Sequence, residues 1–146
     1  MSISHFSPSI PEGEFIETRD CHTAYFATRR PRPDTAIVAA HGEIDAANSR
    51  AFVDYAMRDA AELKLLVVDL SDVDFFGTAG FSALHTLNVR TAEEKFEWAM
   101  VPSASVSRLL RICDPDAALP VRDSVESALS AQKDVKPLLK LVPKSR

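Results

Sequence analysis

The sequence predicts an α/β fold, in which a mixed β-sheet of four to five strands carries about four helices. Residues 65–70, LLVVDL, form an almost continuous apolar run of strand length, which is typical of a central strand covered on both faces. Segments with helical spacing of apolar residues precede and follow this run, so strands and helices alternate along most of the chain. The chain lengths between successive apolar strands also fit right-handed crossover connections.

The first part of the chain predicts a leader, an extended hairpin and a helix. Residues 1–14 contain prolines, a glycine and serines, and we expect a mobile leader there. Residues 15–30 predict extended chain. The two prolines of residues 30–34 then predict a turn, because proline fits neither a helix interior nor a central strand. Residues 35–41 supply the hairpin partner, and Asp45 is the expected N-cap of the next helix. The buried face of that helix is expected to carry Phe52, Tyr55, Ala56, Ala60 and Leu63.

Three further elements are expected after the central strand. A helix from Thr78 to about Lys95 turns Phe81, Leu84 and Leu87 inward. Residues 96–101 form a strand that Pro102 ends, and a serine-capped helix follows. The inward side of this serine-capped helix is expected to carry Val106, Leu109, Leu110 and Cys113.

The end of the chain predicts an edge strand, a helix and a tail. Residues 119–122 form a short edge strand, where a proline is tolerated. Asp123, with Glu126 three residues later, resembles a capping box that opens the last helix. We therefore expect one domain over residues 15–131, followed by a basic tail at residues 132–146.

Composition indicates a globular protein of the cytoplasm that binds no nucleic acid and does not enter a membrane. Residues 15–131 carry twelve basic and eighteen acidic residues, and such an acidic body is a poor match for nucleic acid. The tail has five basic residues and one acid, which is typical of a solvated terminus. No apolar run is long enough to cross a bilayer, and the start of the chain does not resemble a signal peptide.

The cysteines and histidines indicate no metal site and no cofactor. The four histidines stand apart from one another without ligand spacing. Cys21 and Cys113 lack the spacing of a redox motif, and Cys113 lies on an apolar helical stripe, where a small buried side chain is expected. Whether the two cysteines ever meet is left open, as is the oligomeric state.

The segment after the central strand has the order of residues that points most directly to function. Residues 67–84 are VVDLSDVDFFGTAGFSAL, so acids and two aromatics are followed by Gly77 and Gly80, which flank Thr78 at the start of a helical pattern. The first turn of a helix has backbone amides without partners and a partial positive charge, so it accommodates an anion, including a phosphate on the threonine itself. A threonine at this position also serves commonly as a simple helix cap.

Three aromatic residues surround this threonine in the sequence. Phe75, Phe76 and Phe81 form either an apolar rim around Thr78 or part of the core. We expect at least two of them in the core, because aromatic side chains usually bury most of their surface.

Two motifs taken together resemble a known family. Residues 42–45, GEID, precede the first helix, and residues 67–80 follow it. In this order, over roughly residues 20–131, they resemble the STAS domain, in particular the bacterial anti-sigma factor antagonists. The resemblance implies a STAS-like fold and a binding function. In that family, the antagonist binds an anti-sigma factor that is also a serine/threonine kinase, and the sigma factor is thereby released.

The same resemblance implies a phosphorylation switch. In the family, a hydrophobic strand ends in the pattern Asp-Ser-Ser/Thr-Gly, whose first hydroxyl is phosphorylated, and the phosphorylated antagonist leaves its partner. By position, the aspartate falls on Gly77, the phosphorylated hydroxyl on Thr78, the second hydroxyl on Ala79 and the glycine on Gly80. Thr78 is thus the implied phosphoacceptor, and Ser82 is a second candidate inside the helix. Gly77 and Ala79 depart from the pattern.

We call the expected partner-binding region the Thr78 surface. It consists of Gly42, Glu43, Ile44, Asp45, Phe76, Gly77, Thr78, Ala79, Gly80, Phe81 and Ser82.

Three other functions remain open at this point. In the first, the chain is a STAS adaptor without phospho-control, which acts in a signalling scaffold or as the cytoplasmic subunit of a lipid transporter. Alternatively, Thr78 is a nucleophile activated by His41 or His85, or the turn at residues 77–80 binds a nucleotide. The sequence has no GxSxG, no Ser/His/Asp order and no Walker loop, so it favours a binding protein over an enzyme.

Overall fold

The computed structural model describes residues 16–21 and 23–130. The predicted leader at residues 1–14 and the predicted tail at residues 132–146 lie outside them. The strands are β1 (Ile16–Cys21), β2 (Ala24–Arg32), β3 (Thr35–Ile44), β4 (Leu65–Phe76) and β5 (Glu97–Pro102). The helices are α1 (Ser49–Met57), α2 (Thr78–Glu94) and α3 (Ala104–Cys113), with a 3₁₀ turn at Ala60–Glu62 and a helix α4 that begins at residue 125 and is described to residue 130.

The five strands form one mixed sheet in sequence order, which confirms the predicted α/β class. Strands β1, β2 and β3 are antiparallel neighbours. Strands β3, β4 and β5 are parallel, with Ile37 beside Val67 and Val67 beside Ala99. Parallel neighbours need crossover connections, and α1 and α2 supply them.

The central position of β4 is confirmed by burial on both faces of the sheet. Leu66, Val68 and Leu70 belong to the main core, which α1, α2 and α3 cover. Leu65 and Val67 point to the opposite face, where they pack with Ala128 of α4. A strand buried on both faces has apolar residues at consecutive positions, and the sequence has this pattern at residues 65–68.

The amino-terminal hairpin differs from the prediction. Residues 15–30 were expected as one extended segment, but two antiparallel strands occupy this region, and β2 continues through Pro31 to Arg32. The register of β2 and β3 is irregular between Arg29 and Arg32. A proline is accepted at such an irregularity because the ladder does not require its missing N–H group there.

Strand β4 is also longer than predicted. It was expected to end at Leu70, but it pairs with β3 as far as Ile44 beside Phe76. Two register irregularities accommodate the change from consecutive apolar residues to an exposed stretch in which only Val73 and Phe76 are buried. The strand therefore carries Ser71, Asp72 and Asp74, which are exposed, toward the carboxyl end of the parallel strands.

The caps of the later helices were predicted in part. The Ser103 hydroxyl accepts from the Val106 amide at 3.2 Å, as expected for a serine-capped α3. The predicted capping box of Asp123 and Glu126 is wrong, because the Ser124 hydroxyl accepts from the Ser127 amide at 3.0 Å instead. The cap therefore lies one residue later than predicted, on a serine, which is a favoured N-cap residue.

The remaining sequence predictions in this region concern one strand and two cysteines. The edge strand at residues 119–122 is a single parallel bridge between Met100 and Val121. Cys113 is a half-buried free thiol at the end of α3. The side chain of Cys21 lies outside the description, so its pairing stays open.

Candidate functional site

The site is built at the carboxyl edge of the parallel strands. Strands β3 and β4 end together, with Ile44 beside Phe76. The Gly77 amide donates to the Ile44 carbonyl at 3.1 Å, which joins the connection after β3 to the start of α2. The two separate stretches of the predicted Thr78 surface, residues 42–45 and 76–82, are therefore neighbours in space.

The end of β3 depends on a glycine. Gly42 has a φ of +96°, a region that residues with side chains rarely adopt, and an added Cβ would lie 2.3 Å from the Thr23 carbonyl oxygen. The neighbouring Glu43 amide donates to the same carbonyl at 3.1 Å. This close approach fixes the direction in which the chain leaves the sheet, and the Glu43 side chain is exposed.

A buried asparagine holds the turn between β3 and α1. Asn48 is fully buried, its amide group donates to the Glu43 carbonyl at 2.9 Å, and its side-chain oxygen accepts from the Asp45 amide at 3.0 Å. Sequence reasoning missed this residue. The available signal was a short amide side chain just before a helical pattern, a residue type that favours such local bonds to the backbone.

The role predicted for Asp45 is wrong. Helix α1 begins at Ser49, and Asn48 occupies the N-cap position without a side-chain cap. The Asp45 carboxylate instead accepts from the Ala47 amide at 2.9 Å, inside the preceding turn. Aspartate readily bonds to an amide two residues ahead, and this turn competes with helix capping.

Thr78 is the first residue of α2, and its side chain is exposed. Gly77 occupies the N-cap position with φ −89° and ψ −176°, so no side chain caps this helix. The first turn of α2 contains no acidic residue. The positive end of the helix dipole is thus left without an anion from the helix itself.

The aromatic residues divide as predicted between core and rim. Phe76 is buried, and Phe81 is half-buried and packs against the core. Phe75 is 51% exposed at the rim. Gly80 is buried against Phe76, because an added Cβ would lie 2.6 Å from that ring. This contact sets the distance between β4 and the first turn of α2.

Neither histidine proposed as a base for Thr78 is hydrogen-bonded to its hydroxyl. His41 is on β3, where its Nδ1 lies 3.2 Å from an Asp72 carboxylate oxygen. His85 is exposed on α2, two helical turns beyond Thr78.

Residues 16–21 and 23–130, which the structure describes, contain neither a metal-binding cluster nor a membrane-spanning helix. Among these residues, no group of three or more His, Cys, Asp or Glu side chains could hold a metal ion. No helix in the same range is long and apolar enough to cross a membrane.

Comparison with known proteins identifies the family. The STAS domain model matches residues 27–128. The anti-sigma-F factor antagonist RsfA of Mycobacterium tuberculosis is 32% identical over 118 residues, which covers 78% of this chain and 92% of that protein. Among solved structures, an anti-sigma factor antagonist from Mycobacterium paratuberculosis matches with a TM-score of 0.60 and 21% identity, over 83% of this chain and 95% of that one. The antagonist SpoIIAA in its unphosphorylated form matches with a TM-score of 0.63 and 11% identity, over 75% of this chain and 96% of that one. The family model and RsfA each match most of the chain, so this chain belongs to the STAS domain family.

Proposed function

We propose that this protein is an anti-sigma factor antagonist of the bacterial cytoplasm. It binds an anti-sigma factor with serine/threonine kinase activity through the exposed members of the Thr78 surface, since Ile44, Phe76 and Gly80 are buried, and the sigma factor is released. The exposed hydroxyl of Thr78, at the uncapped start of α2 and beside the turn after β3, carries this proposal. Similarity to RsfA over most of both chains supports the anti-sigma role.

The chemistry of the surface suits recognition of a protein. The uncapped first turn of α2 offers backbone amides to acceptor groups of a partner. Phe75 adds an exposed aromatic ring at the rim, a side-chain type enriched in protein interfaces. No step of this function requires bond-making by the antagonist itself, so it acts by binding rather than by catalysis.

Phosphorylation of Thr78 acts on the interface and leaves the fold intact. A phosphate adds about −1.5 to −2 charges at neutral pH, and at a helix start this charge interacts favourably with the dipole. The phosphorylated protein therefore stays folded. An interface that fits a small hydroxyl must instead accept a large, strongly hydrated group. A penalty of about 3 kcal/mol lowers the affinity roughly a hundredfold.

The glycine at the position of the family aspartate can be tested directly. Gly77 has an extended backbone that any residue adopts, and an added Cβ would lie 3.3 Å from the exposed ring of Phe75. An aspartate therefore fits here with a small shift of that ring. We expect Gly77→Asp to restore the family pattern and to raise the rate at which the partner kinase phosphorylates Thr78.

The departures at Gly77 and Ala79 favour one alternative function. A STAS adaptor without phospho-control needs no acid and no second hydroxyl in this turn. Such a protein binds its partner through the same surface but is indifferent to charge at position 78.

The test is the affinity for purified anti-sigma factors of the same host, measured by calorimetry. Wild type and Thr78→Ala should bind one of them equally well, and Thr78→Glu should bind it about a hundredfold more weakly. Ala92→Glu is the matched control, because it adds the same charge at an exposed position near the other end of α2 and should bind like wild type. Equal affinity of Thr78→Glu and wild type would establish the adaptor, and binding to none of the anti-sigma factors would overturn the proposed function.

A phosphorylation assay completes the test. Incubation of the bound anti-sigma factor with ATP should phosphorylate wild type and, faster, Gly77→Asp, but not Thr78→Ala. Mass spectrometry should locate the phosphate on Thr78. A phosphate on Ser82, or none in wild type and Gly77→Asp, would contradict the switch.

A further inference from the structure

An open groove of about 440 Å³ separates α1 from α2, and we call it the α1–α2 groove. Helix α1 lines it with Arg50 and Asp54, and α2 lines it with Ala79, Ser82, Thr86 and Arg90. The α2 positions are spaced three and four residues apart, so they share one face of that helix. The groove also has an apolar floor, formed by the side chains of Val53 and Ala83.

The groove is basic, whereas the protein as a whole is acidic. Asp54 is the single acid among the lining residues, against the two arginines, while the whole chain has a formal net charge of −4. Within the part of the chain that the structure describes, neither Arg50 nor Arg90 has an ion-pair or hydrogen-bond partner. By contrast, Arg30 on β2 pairs with Asp59 and Glu62, each at 3.1 Å.

The position of Arg50 increases the positive potential of the groove. Arg50 lies in the first turn of α1, and that turn contains no acidic residue. A cation near the positive end of a helix dipole is unfavourable within the chain, and an external anion relieves this repulsion. The uncapped start of α2 adds the same sign of charge at the neighbouring end of the groove.

The shape of the groove favours a protein segment over a small ligand. It is open to solvent, whereas sites for small ligands enclose most of the ligand surface. From Ala79 to Arg90 the wall extends by about 16 Å at 1.5 Å per residue, which an extended peptide of about five residues covers. Ala79 and Ser82 also belong to the Thr78 surface, so a partner on that surface reaches the groove without a break.

We propose that the α1–α2 groove is the docking site for an acidic segment of the protein that covers the Thr78 surface. Carboxylates of this segment pair with Arg50 and Arg90, while its backbone lies over Ser82 and Thr86. The identity of that protein as an anti-sigma factor rests on the proposed function, but the preference of the groove for an acidic peptide does not. Docking at a second region also adds affinity that does not depend on the charge of Thr78, so the two contributions can be measured separately.

The preference of the groove is tested with a hexaglutamate peptide and amide chemical shifts. We expect shifts concentrated at residues 49–54 and 79–90, and their loss in the Arg50→Ala/Arg90→Ala variant. Arg108→Ala/Arg111→Ala is the matched control, because it removes two exposed arginines from α3 and should keep the shifts. Shifts spread over all basic residues, shifts that persist without Arg50 and Arg90, or no shifts would each overturn the proposal. Equal shifts with inorganic phosphate at the same concentration of charge would make it a small-anion site and overturn peptide docking.

The full partner supplies the second test. Arg50→Glu/Arg90→Glu should bind the anti-sigma factor at least about tenfold more weakly, as expected when close charge pairs across an interface are reversed. Arg108→Glu/Arg111→Glu should change the affinity less than about twofold, as expected for charges far from the interface. Unchanged affinity of the groove variant would overturn the proposal. If wild type binds no anti-sigma factor, the proposed function fails, and the hexaglutamate result still decides the preference of the groove.

Discussion

Two polar regions of this protein differ in where their groups find partners. Beside β2, Arg30 contacts Asp59 and Glu62, which follow α1, at 3.1 Å, and the buried Thr28 hydroxyl donates to the Tyr55 hydroxyl on α1 at 2.7 Å. At the Thr78 surface, the backbone is tightly bonded, but the Thr78 hydroxyl is exposed and α2 begins without a cap.

The difference indicates how the molecule divides stability from recognition. Polar groups that pair within the chain oppose unfolding, because separation returns them to water or leaves a partner unsatisfied. Exposed groups contribute little to folding and remain available to another molecule. Removal of the same type of group from each region therefore shows which groups stabilise the fold and which remain available for recognition.

The largest effect comes from the backbone of the recognition end and not from its exposed groups. Gly42→Ala should lower the free energy of unfolding by about 3 kcal/mol, since a left-handed backbone and a contact of 2.3 Å with the Thr23 carbonyl both oppose a side chain. Urea denaturation measures this change. Gly77→Ala is the control, and it should cost less than about 1 kcal/mol because its φ is negative. Equal losses of stability in the two variants would contradict a strained backbone at Gly42.

A pair of hydroxyl deletions sharpens the comparison. Tyr55→Phe should cost about 1–2 kcal/mol, because it leaves the buried Thr28 hydroxyl without its partner at 2.7 Å. Thr78→Val should stay within about 0.5 kcal/mol, as is usual for an exposed position. Thermal unfolding of the two variants provides the measurement. The division would be wrong if Thr78→Val were the more destabilising change.

A pair of arginine deletions applies the same logic to charge. Arg30→Ala should cost about 1 kcal/mol, a small value because the Glu62 partner side chain is 67% exposed and water screens the pair. Arg50→Ala should change stability by less than about 0.5 kcal/mol, since no internal ion pair is lost. The loss for Arg30→Ala should shrink in 1 M salt. If the stability lost in Arg30→Ala did not depend on salt, the loss would come from packing of the Arg30 side chain and not from its ion pairs.

The smallest effect is a pH dependence in the alkaline range. Burial raises the pKa of Tyr55, and this outweighs the hydrogen bond with Thr28, which lowers it. A raised pKa in the folded state means that the native protein holds its proton longer than the unfolded chain does. This contribution is complete below the unfolded pKa of about 10 and is lost as the pH rises through the folded value. Between pH 8 and 11, the free energy of unfolding should therefore fall more steeply for wild type than for Tyr55→Phe. Parallel curves for the two proteins would contradict a contribution from the Tyr55 proton.

Periodicity was sufficient for the class and for most elements of the fold. The consecutive apolar residues at 65–68 predicted a central strand, and helical spacing predicted α2 and α3. The extension of β4 to Phe76 was missed because pairing with β3, a tertiary effect, keeps a polar stretch extended. Pro31 was assigned to a turn because the irregular register that accepts it is likewise invisible in a single strand's sequence.

The local structure at Thr78 was predicted, but the support of the neighbouring turn was not. The order of glycines around Thr78 indicated the start of a helix, and Thr78 is the first residue of α2. The role of Asn48 depends on the fold of the turn around it, so sequence alone could not separate it from Asp45 as a cap. Arg50 and Arg90 are far apart in sequence, and only the packing of α1 beside α2 brings them into one groove.

The bond from the Gly77 amide to the Ile44 carbonyl has a consequence for how this surface tolerates substitution. This bond, like the one from Glu43 to Thr23, joins main-chain atoms only. Exposed side chains of the surface can therefore change without loss of these two bonds, as long as Gly42 and Asn48 keep the turn in place. Substitutions at positions 43, 78 and 79 that keep the backbone amides change the side chains while the same backbone presents them. A surface of this kind can change its binding preference in evolution while the backbone that presents it is retained.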